Sequence, residues 1–206
     1  MRLEDPGAKL KRLHEAAERI SANLVELEID SSRQLLEASA LVGESALRWS
    51  TASAALTELW RRHGLLEASL ERADKLRGTR RADELSSLLD GPSIELARVD
   101  VPLSERTLLG SSQTTDRCSP DELIAGMSAA FDEVKTVVAQ IGTAWETLIP
   151  KLDGARRRLQ EIKLLADELG NAGQREVDPA TRALDTLSTR VTRDPLSVVP
   201  TDLLCA

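Results

Sequence analysis

Aromatic residues are scarce in this chain of 206 residues, which has no tyrosine, one phenylalanine and three tryptophans. Aromatic side chains fill thick globular cores and line many small-molecule pockets, so both features are disfavoured here. Leucine and alanine, which favour helices, dominate the apolar residues, whereas the residue types that favour strands are sparse. The composition therefore predicts thin helical bundles packed through leucine and alanine.

Cysteine and histidine are equally rare, with Cys118, Cys205, His14 and His63 as the complete set. Two thiols cannot form a disulfide framework, and they fit a reducing cytoplasm. His14 and Glu18 are one helical turn apart, which suits half of a metal site or an exposed polar pair. The chain contains no glycine-rich phosphate loop, nucleophile elbow or paired Cys-x-x-Cys motif. We therefore predict no catalytic, cofactor or metal site, and a protein that is not an enzyme.

The chain also lacks a basic excess and a long apolar run. Its net charge is −7, and its two basic clusters, at 77–81 and 156–158, have acidic neighbours. This balance argues against a nucleic-acid partner. Residues 1–6 do not resemble a signal peptide, and no run approaches the roughly 20 apolar residues of a membrane span. We predict a soluble, cytoplasmic protein without membrane insertion.

The first predicted helix carries a heptad-like seam. Asp5 can cap its N-terminus, and Pro6 suits the first helical position. Apolar residues then recur at spacings of three and four, typical of a coiled coil. The seam consists of Leu10, Leu13, Ala17, Ile20, Leu24 and Leu27. Such a seam needs a partner helix, supplied either by this chain or by another copy.

A second helical stretch is predicted over 32–76. It starts afresh if Ser31 and Gln34 form a capping box, or continues from the first helix through a stutter. Trp49 and Trp60 are 11 residues apart and fall on one stripe. Tryptophans at such positions pin helices together or anchor a protein partner, and a small cavity beneath them is a further interpretation.

Turn residues predict the next boundaries. Gly78 ends the second helix, a short helix follows to residue 90, and residues 91–118 form an extended connector with no evident partner strand. Ser119 and Glu122 predict a capping box that opens the next helix, which Pro150 ends or kinks.

Helix is predicted again from 151 to 168, and glycines stop it at 170–173. Its inward-facing residues are predicted to be Leu152, Leu159, Ile162 and either Leu165 or Leu169. A last helix is predicted to start at Asp178-Pro179.

These patterns predict an all-α fold, an elongated bundle of antiparallel long-helix hairpins with coiled-coil character, interrupted by the connector. The predicted regions are 1–90, 91–118, 119–193 and an irregular tail at 194–206. We expect a non-enzymatic structural or adaptor protein that binds another protein or a second copy of itself. The alternative is a regulatory bundle that senses a small ligand near Trp49 and Trp60. The predicted partner-binding residues are Leu10, Leu13, Ile20, Leu24, Leu27, Trp49 and Trp60.

Overall fold

The computed structural model describes residues 5–79, 81–96, 116–168 and 170–199, and helices make up most of them. The six helices of these ranges are α1 (Pro6–Ile29), α2 (Ser31–Ala38), α3 (Gly43–Gly78), α4 (Ala82–Asp90), α5 (Pro120–Glu168) and α6 (Asn171–Arg193). Two short strands, β1 (Ile94–Leu96) and β2 (Asp116–Cys118), lie between α4 and α5, and a 3-10 turn (Pro195–Ser197) follows α6. The fold is an all-α helical bundle, as predicted.

Local signals account for several helix ends. The Asp5 carboxylate accepts a hydrogen bond from the Ala8 amide at 3.1 Å, as expected for the cap of α1. At α5, the Ser119 amide donates to Glu122 Oε2 at 2.8 Å and the Glu122 amide donates to Ser119 Oγ at 3.3 Å, so the predicted capping box is present. The predicted stop at Gly78 is also confirmed, because α3 ends there.

The predicted long helix over 32–76 is interrupted. A new helix does begin at Ser31, but its cap is Asp30, whose carboxylate accepts from the Arg33 amide at 3.0 Å. Helix α2 ends at Ala38, and Gly43 opens α3 with a φ of 61°. A positive φ favours glycine, so Gly43 marks a helix boundary inside the stretch that was predicted as one helix.

Three further boundaries differ from prediction. Strands β1 and β2 pair antiparallel, with Ile94 opposite Cys118, although no partner strand was evident from the sequence. Helix α5 continues through Pro150, which therefore does not end it. Helix α6 begins at Asn171 and includes Pro179, so the predicted start at Asp178 was too late. The predicted connector and the segment from Asn171 to Asp178 were thus assigned too little regular structure.

The described residues form two compact units, each assembled from distant parts of the chain. The first takes in the described residues of Met1–Leu27 and Ala55–Asp132, and the second those of Glu28–Ala54 and Glu133–Ala206. The units therefore do not follow the segmentation into 1–90, 91–118, 119–193 and 194–206. Leucines supply most of the first unit's core, whose most deeply buried members include Leu10, Leu13, Leu24, Leu59, Leu66, Leu70, Leu89 and Met127.

The second unit has a core built largely from α5 and α6. One cluster in it consists of Leu148, Leu152, Leu184, Leu187, Val191 and Val198. Val198 lies beyond the last helix, so the predicted irregular tail contributes to the core at its start. Asp194, also in that tail, accepts hydrogen bonds from the Ser45 amide at 2.9 Å and the Ser45 hydroxyl at 2.7 Å. The carboxylate thereby caps α3.

Candidate functional site

The predicted partner-binding seam on α1 is buried within this chain. Leu10, Leu13 and Leu24 are at most 1% exposed, and Ile20 and Leu27 are 7% and 6% exposed. These residues belong to the core of the first unit. A partner could reach them only if α1 left that core, and their role in partner binding remains a prediction.

The three tryptophans occupy different settings. Trp49 and Trp60 are half-buried, and they belong to the second and the first unit respectively. Trp145 is buried, and its indole Nε1 donates to the Val191 carbonyl at 3.0 Å. The indole Nε1 of Trp60 is also buried, but it has no hydrogen-bond partner among the described residues. A buried N–H without an acceptor is costly, which makes Trp60 the unusual member of the set.

His63 contacts Trp60, and charged residues close to Trp60 in the sequence pair with one another. The ring of His63 meets the indole edge to face at a centroid distance of 6.1 Å, and His63 Nε2 lies 3.2 Å from the Ala17 carbonyl. Glu58 accepts from Arg61 and Arg62 at 2.7 and 2.8 Å. The hydrogen bond from Arg61 is the main reason that the pKa of Glu58 falls to about 2. His63 is buried.

We expect Trp145→Phe to destabilise the protein more than Trp60→Phe. Loss of the Trp145 indole leaves the Val191 carbonyl, in the last turn of α6, without its donor, at a cost of about 1–3 kcal/mol. Trp60→Phe removes a donor that has no partner among the described residues, which offsets part of the lost packing. Urea denaturation of both variants measures the difference, and equal losses would contradict this reading of Trp60.

Helices α5 and α6 form an antiparallel hairpin within the second unit. Trp145 bonds to Val191, and Arg156 donates to the hydroxyl of Ser188, so residue numbers rise on one helix as they fall on the other. Beyond Leu152, a few residues of each helix face the other helix of the hairpin. They are Ala155, Leu159 and Ala166 on α5, and Val177, Leu184 and Leu187 on α6.

The seam of this hairpin leaves large apolar residues exposed near its tip. Ile162, Leu164 and Leu165 are 51%, 65% and 64% exposed. We predicted Ile162 and either Leu165 or Leu169 on the inside. For Ile162 this prediction was wrong, because Ala166 takes the inner position and two helices alone cannot cover a wide stripe. Of the two alternatives, Leu165 is exposed, and Leu169 lies outside the described residues.

Ile162 and Leu165 lie on one flank of the hairpin. Successive residues of a helix are about 100° apart, so these two lie on one side of the inward-facing line through Leu159 and Ala166. Arg156, which bonds to Ser188, lies on the other side. We call this surface, made of Ile162 and Leu165, the hairpin flank.

Two exposed charged residues of α5 lie near the hairpin flank in the sequence. Arg158 lies four residues before Ile162, and Glu168 lies three residues after Leu165. Both side chains are exposed. Within the described ranges neither residue forms an ion pair, whereas Arg156 pairs with Asp153 at 3.3 Å. An exposed apolar flank of this kind is a surface on which a further helix can pack.

A separate open pocket of about 440 Å³ lies in the first unit. Its lining includes the apolar side chains of Leu76 and Leu88 and the charged side chains of Arg72 and Glu84. Glu84 pairs with Arg81 at 3.2 Å. Trp49 and Trp60 do not line this pocket, so it is distinct from the cavity that the sensor interpretation places beneath them.

The other candidate residues are not brought together. His14 Nε2 lies 2.9 Å from a carboxylate oxygen of Asp74, and both side chains are half-exposed. The partner of His14 is therefore Asp74 and not Glu18, the residue one turn away. Burial raises the pKa of the Cys118 thiol, with a further contribution from Glu122, so this thiol is not activated. Cys205 lies outside the described residues.

The described ranges contain neither a metal-ligand group nor a membrane-spanning helix. No three histidine, cysteine or acidic side chains there are grouped as metal ligands would be. No helix there combines the length and apolar character that crossing a membrane requires.

The sequence and structure of this chain match no protein-family model, no curated protein and no solved structure.

Proposed function

We propose that this protein is a non-enzymatic helical adaptor of the cytoplasm, and that it binds another protein or a second copy of itself through the hairpin flank. The observation that carries the proposal is the exposure of Ile162 and Leu165, each more than half accessible on one side of a two-helix hairpin. Exposed large apolar residues grouped on one surface are typical of binding sites, whereas scattered ones are ordinary.

The packing within the hairpin is compatible with such a role. Its inner line is filled by its own residues, with Leu184, Leu187 and Val191 all at most 6% exposed. The flank can therefore be covered by a further helix without opening the core. By contrast, partner binding at Leu13 or Leu24 would require α1 to leave the first unit.

The charge distribution favours a protein partner over nucleic acid. In the cluster at 156–158, Arg156 is engaged by Asp153 and Ser188. In the cluster at 77–81, Arg81 pairs with Glu84. The chain's net charge of −7 opposes a polyanionic ligand.

Affinity purification from the native host, with cross-linking and mass spectrometry, tests the proposal. The full chain is compared with Leu165→Asp and with Leu164→Asp. These neighbouring residues are 64% and 65% exposed but lie on different sides of α5, so the second variant is a matched control.

We expect cross-links to a stoichiometric protein, which can be a second copy, to be lost in Leu165→Asp and kept in Leu164→Asp. A charge placed within an apolar contact is costly, whereas on a solvated side it is nearly neutral. Equal recovery of every cross-linked protein with both variants would contradict the proposal.

The sensor function has one observation in its favour, which is the buried indole N–H of Trp60 without a partner among the described residues. A ligand acceptor could satisfy this donor. Titration of the protein with metabolite fractions, followed by tryptophan fluorescence, tests this alternative. A saturable change that disappears in Trp60→Phe supports it, and a change that persists in Trp60→Phe places the ligand elsewhere.

A further inference from the structure

The open pocket of the first unit is lined by two opposite charges that do not pair with each other. Arg72 and Glu84 both line this cavity of about 440 Å³. Within the described part of the chain, Arg72 forms no hydrogen bond or ion pair, and the carboxylate of Glu84 binds only Arg81, at 3.2 Å. The pocket therefore presents a cation and an anion at separate positions of its lining.

The two charges come from successive helices, and each is accompanied by a leucine. Arg72 and Leu76 are four residues apart near the end of α3, so they lie on one face of that helix. Glu84 and Leu88 have the same spacing on α4. Pro92 contributes a third apolar group from the turn that follows α4. The lining thus combines both signs of charge with an apolar surface.

Hydrogen bonds hold the turn that completes the pocket. The Gly91 amide donates to the Ser87 carbonyl at 3.0 Å, and the Ser93 amide donates to the Gly91 carbonyl at 2.8 Å. The Ser93 hydroxyl donates to the Leu88 carbonyl at 2.7 Å. The Ser87 hydroxyl, by contrast, has no partner among the described residues. A ligand would meet an ordered turn and one hydroxyl that is available to it.

From these observations we propose that the pocket binds a free α-amino acid with an apolar side chain. The ligand carboxylate pairs with the guanidinium of Arg72, and the ligand ammonium pairs with the carboxylate of Glu84. The ligand side chain packs on the leucines of the lining. The cavity volume of about 440 Å³ is within the range of small-molecule sites, about 300–1,000 Å³. The inference goes beyond the proposed function, because the hairpin flank belongs to the second unit.

Ligands with a single charge fit the lining less well. A simple carboxylate or a phosphate would pair with Arg72 but would also bring an anion close to Glu84. An amine would leave Arg72 without a partner. The last carbonyls of α4, which ends at Asp90 beside this pocket, carry partial negative charge and favour the ammonium group. Only a ligand with both charges satisfies both side chains.

The test is a titration of the full-length chain with L-leucine, followed by nuclear magnetic resonance of the backbone amides. We expect saturable shifts at Ser87, Gly91 and Ser93, with a dissociation constant on the order of a millimolar because exposed ion pairs contribute little. Isocaproate lacks the ammonium group of leucine, and isoamylamine lacks the carboxylate. Each analogue is expected to bind about fivefold more weakly than leucine, because it loses one ion pair.

Four variants connect the binding to this pocket. Arg72→Gln and Glu84→Gln are each expected to weaken leucine binding by about fivefold. Arg77→Gln and Asp83→Asn are the matched controls, because both residues are exposed on the same two helices and do not line the pocket. We expect the controls to bind leucine as the wild type does. Circular dichroism verifies that each variant is folded, as expected for exposed positions.

Three results would overturn the inference. They are the absence of any saturable shift with leucine, binding of either analogue as tight as that of leucine, and equal affinities for leucine in Arg72→Gln and Arg77→Gln. None of them bears on the adaptor function, which is tested by cross-linking through the hairpin flank. The two proposals can therefore fail separately.

Discussion

Leu24→Asp is expected to unfold the first compact unit. The Leu24 side chain is 0% exposed, so the variant places a carboxylate in a core that offers it no solvent. Truncation of a buried leucine alone costs about 2–5 kcal/mol, and an unpaired buried charge adds several more. This sum is comparable with the total stability of about 5–15 kcal/mol of an ordinary domain. Circular dichroism and thermal melting of the purified variant measure the loss.

Val25→Asp is the matched control for this prediction. Val25 is the next residue of α1 and is 48% exposed, so the same substitution there should change stability by less than about 1 kcal/mol. The comparison also tests the predicted seam on α1. A Leu24→Asp variant that kept its fold and lost only assembly would show that the seam faces a partner, contrary to its burial in this chain.

Asp194→Ala is expected to destabilise the second compact unit by about 2–4 kcal/mol. The Asp194 carboxylate accepts from both the amide and the hydroxyl of Ser45, and from the Glu44 amide at 3.3 Å. Its removal leaves the first turn of α3 without acceptors, with Ser45 completely buried. Asp30→Ala is the control, because the exposed carboxylate of Asp30 caps α2 through a single amide and should cost only about 1 kcal/mol. Urea denaturation compares the two, and equal losses would contradict the stronger role of Asp194.

The contribution of Asp194 depends on pH in a defined direction. Burial raises the pKa of Asp194, but the hydrogen bonds from Ser45 and Glu44 outweigh burial, so the pKa in the folded protein lies below its ordinary 3.8. A group whose pKa is lowered on folding stabilises the protein above its ordinary pKa, and this stabilisation is lost as the pH falls through the folded value. The difference in unfolding free energy between wild type and Asp194→Ala should therefore be constant near neutral pH and shrink below about pH 4.

Local chemistry made several helix ends predictable from sequence. Ser119 and Glu122 satisfy each other's amides within one turn, and Asp5 does the same for α1, so no distant residue is needed to define these ends. The helical class follows equally directly, since leucine and alanine recur at helical spacing throughout. Pattern and propensity act over a few residues, and these features are set at that range.

Features that depend on distant residues could not be predicted. The α3 cap needs Asp194, which is 149 residues from Ser45. Gly43 adopts its positive φ against that carboxylate, and an added Cβ would lie 2.1 Å from Asp194 Oδ2, so only glycine fits. The pairing of Ile94 with Cys118 likewise joins residues that are 24 positions apart in the sequence.

The candidate surface could not be predicted from the sequence either. Ile162 and Leu165 fit a helical stripe, and the sequence alone cannot tell whether a stripe is covered by one neighbouring helix or by two. The seam from Leu10 to Leu27 poses the opposite difficulty. Its heptad spacing is the same for an internal and an external partner, and only the assembled fold distinguishes the two.

The interleaved make-up of the two compact units sets an order for folding during synthesis. Once residue 132 has left the ribosome, every segment of the first unit is available. Residues 28–54, made early, must wait for residues 133 onward and finally for Asp194 before α3 receives its cap. For most of translation, the nascent chain therefore contains segments of the second unit that cannot yet fold. Contacts between residues so distant in sequence also slow folding. Its exposed leucines in that interval are a natural substrate for chaperones that hold unfolded segments.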